Sequence, residues 1–201
     1  MRGGHGHNWF GETLKPSSFF HYFLNTLSIP LTSSCVWPSS VQVPRLVPLH
    51  HNFDAYPTYF IFGGLVFAPL SLPLFTSMAP VVENIAPHLV LEMAGALPQV
   101  KKQHEHEAVV LQHVLISNEN FGYNRVGPAM LKKVNNVDVD SMKHLVTLIK
   151  SSESQYIRFT FTNDKTIILD HALCMAAEEE ILSKNAIPHP LSKDLQSKLT
   201  E

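Results

Sequence analysis

The chain has 201 residues, 45% of them hydrophobic and 16% charged, with a formal net charge of -2. That is enough apolar material for one core, and it points to one domain or one domain with an appendage. No Lys/Arg-rich run stands out, so electrostatic attraction to nucleic acid or anionic lipid is not indicated, and partners have to be read from groove chemistry.

Residues 1–44 differ from the rest, because Arg2, Glu12 and Lys15 are their only formal charges and Ser, Thr, Pro and His are spread among short apolar pieces. No stable period runs through them, which predicts an irregular, poorly packed extension. The segment is Ser-rich and poor in acids, as organellar transit peptides are, but it is low in arginine. Residues 55–82 contain no Asp, Glu, Lys or Arg, which raises the question of a membrane span. Pro57, Pro69, Pro73 and Pro80 break that stretch, and its longest proline-free piece, residues 58–68, is too short to cross a bilayer as a helix. Its Phe, Tyr, Ile and Val content predicts instead a buried strand with a glycine break.

Residues 86–97 predict a short helix that Pro98 ends, and the β-branched run AVVLQHVLIS at 108–117 predicts a strand. MLKKVNNVDVD holds two short apolar runs around Asn135 and Asn136, a pair suited to positive φ and hence to a tight turn. Asp140 and Ser141 can cap a helix whose Met142, Leu145, Val146 and Ile149 fall at i, i+3, i+4 and i+7. QYIRFTF and KTIILD read as strands joined at Asn163 and Asp164, and ALCMAAEEEILSKN as a terminal helix. This order of elements predicts a small α+β domain rather than a parallel βαβ array.

Chemistry is thinly represented. Cys35 and Cys174 stand far apart and outside any Cys-x-x-Cys pair, so neither a zinc ribbon nor a disulfide framework is indicated. In a strand His104 and His106 of HEHE would share a face, with His113 near in sequence, but the second histidine of a catalytic HExxH is missing, since Ala108 and Val110 stand four residues after them. No metal and no cofactor is expected. There is no G-x-S-x-G, no G-x-G-x-x-G and no G-x-x-x-x-G-K-[ST], and neither cysteine has a nucleophile's setting. Gly63 and Gly64, followed by Leu65, Val66 and Phe67, open two alternatives. Their N–H groups can form a nest for a carboxylate beside a strand edge that accepts an extended peptide, with the helix around Ser141 supplying pockets. Alternatively Phe60, Phe62, Leu65 and Phe67 are core, and the glycines relieve crowding.

Taken in order, LVPLHHNFDAYPTYFIFGGLVFAPL, VLISNENFGYNR, LKKVNNVDVDSMKHLVTLIKSS, YIRFTF, IILD and ILSKNAIPHPLSKDL resemble the C-terminal part of the plant Deg proteases, the Do-like or HtrA-type serine proteases. The resemblance covers about residues 45–195, and in that family the region is the second PDZ-like domain. It implies a PDZ-like small β-barrel or sandwich capped by helices over 45–195, with the irregular extension 1–44 before it and a short tail, 196–201, after it. The trypsin-like catalytic domain has no counterpart in the chain, so no catalytic residue carries over, and the resemblance implies a truncated product or a partial gene model. Gly64-Leu65-Val66-Phe67 looks like the family's Gly-Leu-Gly-Phe carboxylate loop with Val66 in place of the second glycine. The resemblance thus implies a peptide groove built from Gly63, Gly64, Leu65, Val66 and Phe67, with His144, Leu145 and Leu148 on the opposing helix wall. It implies a peptide-binding, protein-interaction module, with Deg protease subunits as partners and no membrane span. The rival is a part or regulator of a serine-type endopeptidase acting in proteolysis when joined to a catalytic partner. A third reading is a structural module whose groove the chain's own residues fill. Family members reside in chloroplasts, mitochondria and the nucleus.

Overall fold

The computed structural model describes residues 44–49, 56–85, 87–124, 126–162 and 164–200. The extension expected over residues 1–44 therefore lies outside the described residues except for Pro44, as does Asn163 of the expected hairpin turn.

The aromatic stretch with the glycine break forms two strands, β1 (Phe60–Phe62) and β2 (Leu65–Pro69). Behind them come helix α1 (Leu72–Ile85) and helix α2 (Pro87–Ala96). The expected strand in AVVLQHVLIS is β3 (Val109–Val114), and the asparagine pair separates β4 (Ala129–Val134) from β5 (Val137–Asp138). Asn135 and Asn136 have φ of 47° and 69°, the left-handed conformation that their short polar side chains tolerate. Helix α3 (Met142–Lys150) follows, then β6 (Tyr156–Phe161), β7 (Thr166–Asp170), helix α4 (His171–Lys184) and helix α5 (Lys193–Thr200).

The strands make one antiparallel sheet in the order β1-β2-β3-β4-β6-β7, with β5 paired to β4. With five helices among the described residues this is the expected α+β class, and because the strand path has two ends the sheet is open. Period-two alternation positions the core: Ile157, Phe159 and Phe161 of β6 point in while Tyr156 and Arg158 point out. The four buried residues of the α3 stripe, Met142, Leu145, Val146 and Ile149, close the same core from above. Phe67 sits at its centre, with ring centroids 5.3 Å from Phe159 and 6.5 Å from Phe60.

A second core lies on the other face of the sheet. There Phe75 and Ala79 of α1 and Met93 and Ala94 of α2 pack with Leu70 and Val110. Val109 and Leu111 face the first core and Val110 the second, which is why β3 reads as a continuous apolar run instead of an alternation.

Two elements differ from the sequence expectation. Helix α1 forms in a stretch whose prolines read as breakers, because Ser71 caps it, accepting from Leu74 N–H at 3.3 Å, and Pro73 falls in the first turn, where a missing N–H costs nothing. Pro80 does lie inside that helix. The residues expected as a tail from 196 onward are also helical, since α5 runs to Thr200, with Leu195 buried and Leu199 packed on the first core. No helix among the described residues is long and apolar enough to cross a membrane.

Phe67→Ala is expected to lower unfolding stability by about 3–5 kcal/mol, whereas Phe121→Ala, at a ring 88% exposed, should move it by less than about 0.5 kcal/mol. Urea denaturation of the two variants reads the contrast directly.

Candidate functional site

A strand that binds peptide by edge addition needs a row of unpaired backbone groups. The expected edge, residues 64–67, does not offer one. Strand β2 is paired on one side with β1, in the register Phe60↔Phe67, Ile61↔Val66 and Phe62↔Leu65, and on the other side with β3. β1 thus lies along the edge of β2 where an incoming strand was expected, and the reason is local. Gly63 and Gly64 form a two-residue hairpin turn, with φ of 52° and 81°, and such turns need positive φ at both central positions.

The turn is held from outside. Asn120, 1% exposed, donates through Nδ2 to the carbonyls of Gly63 at 2.9 Å and Leu115 at 2.7 Å, while Leu115 N–H donates to the Gly64 carbonyl at 2.7 Å. Ser117 N–H donates to Asn120 Oδ1 at 3.1 Å, so the amide is engaged at both ends. Close packing also demands the glycines. A Cβ on Gly63 would stand 2.6 Å from Cys174 Sγ, and one on Gly64 would collide with the Leu115 carbonyl and the Asn120 amide. The glycine-loop arrangement expected from the sequence is therefore a closed hairpin.

The eight predicted site residues separate into three groups. Leu65, Phe67 and Leu145 are wholly buried in the first core, as the core alternative requires. Gly63 and Gly64 make the turn. Val66, His144 and Leu148 are half-buried. Val66 points to the opposite face of β2, into a groove of about 1090 Å³ that it lines with Tyr59, Ile61, Ala68, Ile187 and Lys193. His144 lies at the start of α3, where its Nδ1 accepts from Asp140 N–H at 3.3 Å and stands 3.7 Å from the Asp140 carboxylate. Leu148 packs on the first core.

Between β1 and α3 the chain's own C-terminal residues are installed. Leu191 pairs antiparallel with Phe60. Ile61 N–H donates to the Pro190 carbonyl at 2.8 Å, and Ser192 N–H to the Tyr59 carbonyl at 3.1 Å. Leu191 and Leu195 enter the first core, and α5 lies against α3. Ser192 Oγ accepts from Tyr59 N–H at 3.2 Å, and Thr58 Oγ1 donates to Asp194 Oδ2 at 2.6 Å. Burial pushes the Asp194 carboxyl up, but hydrogen bonds from Ser192 and Thr58, with Lys198 nearby, outweigh it and hold the group below the usual carboxylate range. The role of Asn120 and of residues 190–192 was not visible in the sequence. Asparagine is common in loops, and Pro-Leu-Ser carries no period.

The HEHE segment is not a strand: residues 101–107 run through bends and turns, so the shared face assumed for His104 and His106 is absent. Glu107 serves another purpose, accepting from Met142 N–H at 3.1 Å at the start of α3. No group of three or more potential metal ligands occurs among the described residues. Cys174 is 1% exposed, and burial, then the nearby carboxylates of Glu119 and Asp170, pushes its thiol up to about 12. Both effects disfavour its thiolate.

The family model described as PDZ domain matches residues 47–194. The chain is 34% identical over 157 residues to putative protease Do-like 3, mitochondrial, of Arabidopsis thaliana, covering 78% of this chain and 26% of that protein. It is 32% identical over 154 residues to protease Do-like 4, mitochondrial, of the same plant, covering 77% and 26%. To its protease Do-like 2, chloroplastic, it is 30% identical over 151 residues, covering 75% and 24%. The chain spans about a quarter of the length of these relatives.

Asn120→Ala leaves the Gly63 carbonyl without this donor and should destabilise the fold by about 1–3 kcal/mol, read as a shift of the urea midpoint at unchanged slope. In a Cys35→Ser background, Cys174 should resist a thiol reagent at pH 8 until denaturant is added. Its proton is held more tightly in the folded state than in the unfolded one, where the thiol titrates near 9.0. The stability this contributes is complete below about pH 9 and declines as pH rises toward 12, which a series of alkaline melts will show.

Proposed function

The chain belongs to the PDZ domain family, in the branch represented by the Do-like proteases, and from this we propose that it is a peptide-binding, protein-interaction module. Its mechanism is strand pairing in the slot between the β1–β2 hairpin and α3. The observation that carries the reading is internal: residues 190–192 already lie there as an extended strand, bonded to Tyr59 and Ile61 through the main chain. Main-chain pairing supplies sequence-tolerant affinity, and pockets for alternate side chains supply choice.

In this reading the predicted residues support the slot more than they touch the ligand. Gly63 and Gly64 close its end, Leu65, Phe67 and Leu145 form the apolar bed beneath it, and His144 and Leu148 stand on the helix wall. Val66 faces the adjoining groove. Selection then rests on an extended segment entering from the side and not on a free C-terminal carboxylate.

A second reading follows from the relatives, whose names describe proteases about four times longer than the matched region. Here the chain is a part or regulator of a serine-type endopeptidase, and Do-like protease subunits are its partners. The mitochondrial and chloroplastic names support a place in one of those organelles, and they lend the nucleus no support.

Two measurements test the proposal. The purified chain should not hydrolyse casein, and turnover abolished by a serine-directed inhibitor would overturn the reading. Mixed with an active Do-like protease, a changed rate or oligomer size supports the regulatory role, whereas binding of extended peptides without such a change supports an independent binder.

A further inference from the structure

We infer that the groove of about 1090 Å³ on the face of the β1–β2 hairpin away from α3 is a docking site for an amphipathic helix of another protein, one whose apolar stripe is flanked by acidic residues. The site uses the outer face of the hairpin and not its edge, so it stands or falls independently of the strand-pairing reading.

Strand alternation makes the floor of the groove apolar. Phe60, Phe62, Leu65 and Phe67 take the inward positions of the hairpin, which turns Ile61, Val66 and Ala68 outward. These three belong to neither core, and all three line the groove. Two helices contribute to its walls, α1 through Pro73, Leu74 and Ser77 and α5 through Lys193 and Lys198.

The form of the occupant follows from the hydrogen bonds that these walls withhold. An extended peptide has to find partners for its own backbone groups. On both sides of β2 the ladder is already paired, and Pro48, Pro57, Pro69, Pro73 and Pro188 of the lining have no N–H to give. Its hydroxyls are engaged as well: Tyr59 donates to the His189 carbonyl at 3.1 Å, Thr58 to Asp194 at 2.6 Å and Ser77 to the Leu74 carbonyl at 2.8 Å. A helix brings its backbone bonds with it and requires only apolar contact, which makes it the peptide form that fits.

The rim sets the sign of the charge. Lys193 and Lys198 are exposed, and Lys193 makes no ion pair among the described residues. Asp194, the one acid of the lining, is held by Thr58 and Ser192. The α5 side therefore presents net positive charge, and carboxylates beside the apolar stripe of an arriving helix complement it.

The test titrates the full chain with a labelled, end-capped peptide of sequence ELLQELLQELLQE, which places a leucine stripe between glutamates when helical. It should bind, and its circular dichroism should become more helical on binding. KLLQKLLQKLLQK should bind more weakly by about tenfold, and ELLQELPQELLQE, with proline inside the helix, by about a hundredfold. Val66→Glu should weaken the acidic peptide by about tenfold or more, because it puts a charge on the apolar floor. Lys193→Glu, at an exposed position that the fold tolerates, should weaken it by about threefold at low salt and leave it unchanged at high salt. Equal affinity for the acidic and lysine peptides, or indifference to both substitutions, would overturn the proposal. So would no binding of the acidic peptide at all, as when the chain's own residues fill the groove. Binding of dodecanoate in place of the peptide would assign the groove to an acyl chain and overturn the helix.

Discussion

The hairpin turn at Gly63 and Gly64 constrains everything around it. Because two residues reverse the chain, β1 must run back along β2, and that edge of β2 is paired from within. The turn holds only while both residues stay at positive φ and their carbonyls stay bonded, which fixes Asn120 and the loop after β3 against it. Cys174 lies against Gly63 from α4, so the same point ties that helix to the hairpin. A side chain at Gly63 would strike Cys174 and Leu169, and one at Gly64 the Leu115 carbonyl and the Asn120 amide.

This arrangement moves the recognition problem outward by one strand. β2 remains the bed of the slot, with Leu65 and Phe67 in the core, while the edge is that of β1. Addition of an extended segment needs only a strand edge, and that requirement is already met by residues 190–192. Residues 190–192 meet β1 through backbone pairing, one apolar side chain and one hydroxyl.

The two cores explain how so short a hairpin is held. β3 is buried on both faces, by the aromatic cluster with α3 on one side and by α1 and α2 on the other. Its pairing with β2 is thus protected from water along most of its length. A strand so buried gives β2 a fixed register, and through the turn it fixes β1 as well.

By itself the sequence determined the local elements. The α3 stripe, the asparagine turn, the β6 alternation and the β-branched run of β3 are written in residues within one or two turns of each other, and local sterics and periodicity suffice to read them. The ordered blocks also marked the family, and Phe60, Phe62, Leu65 and Phe67 as core was one of two alternatives left open. Only the tertiary structure decided between them, because whether an edge is open depends on what lies beside it: the break at Gly63 and Gly64 could equally be a loop or a hairpin, and the choice is made by Asn120, 56 positions further along than Gly64. The pairing of residues 190–192 with β1 was hidden for the same reason. Residues 190–192 have no pattern of their own and pair with β1 only because Tyr59 and Ile61, more than a hundred positions earlier, present the groups they bond to.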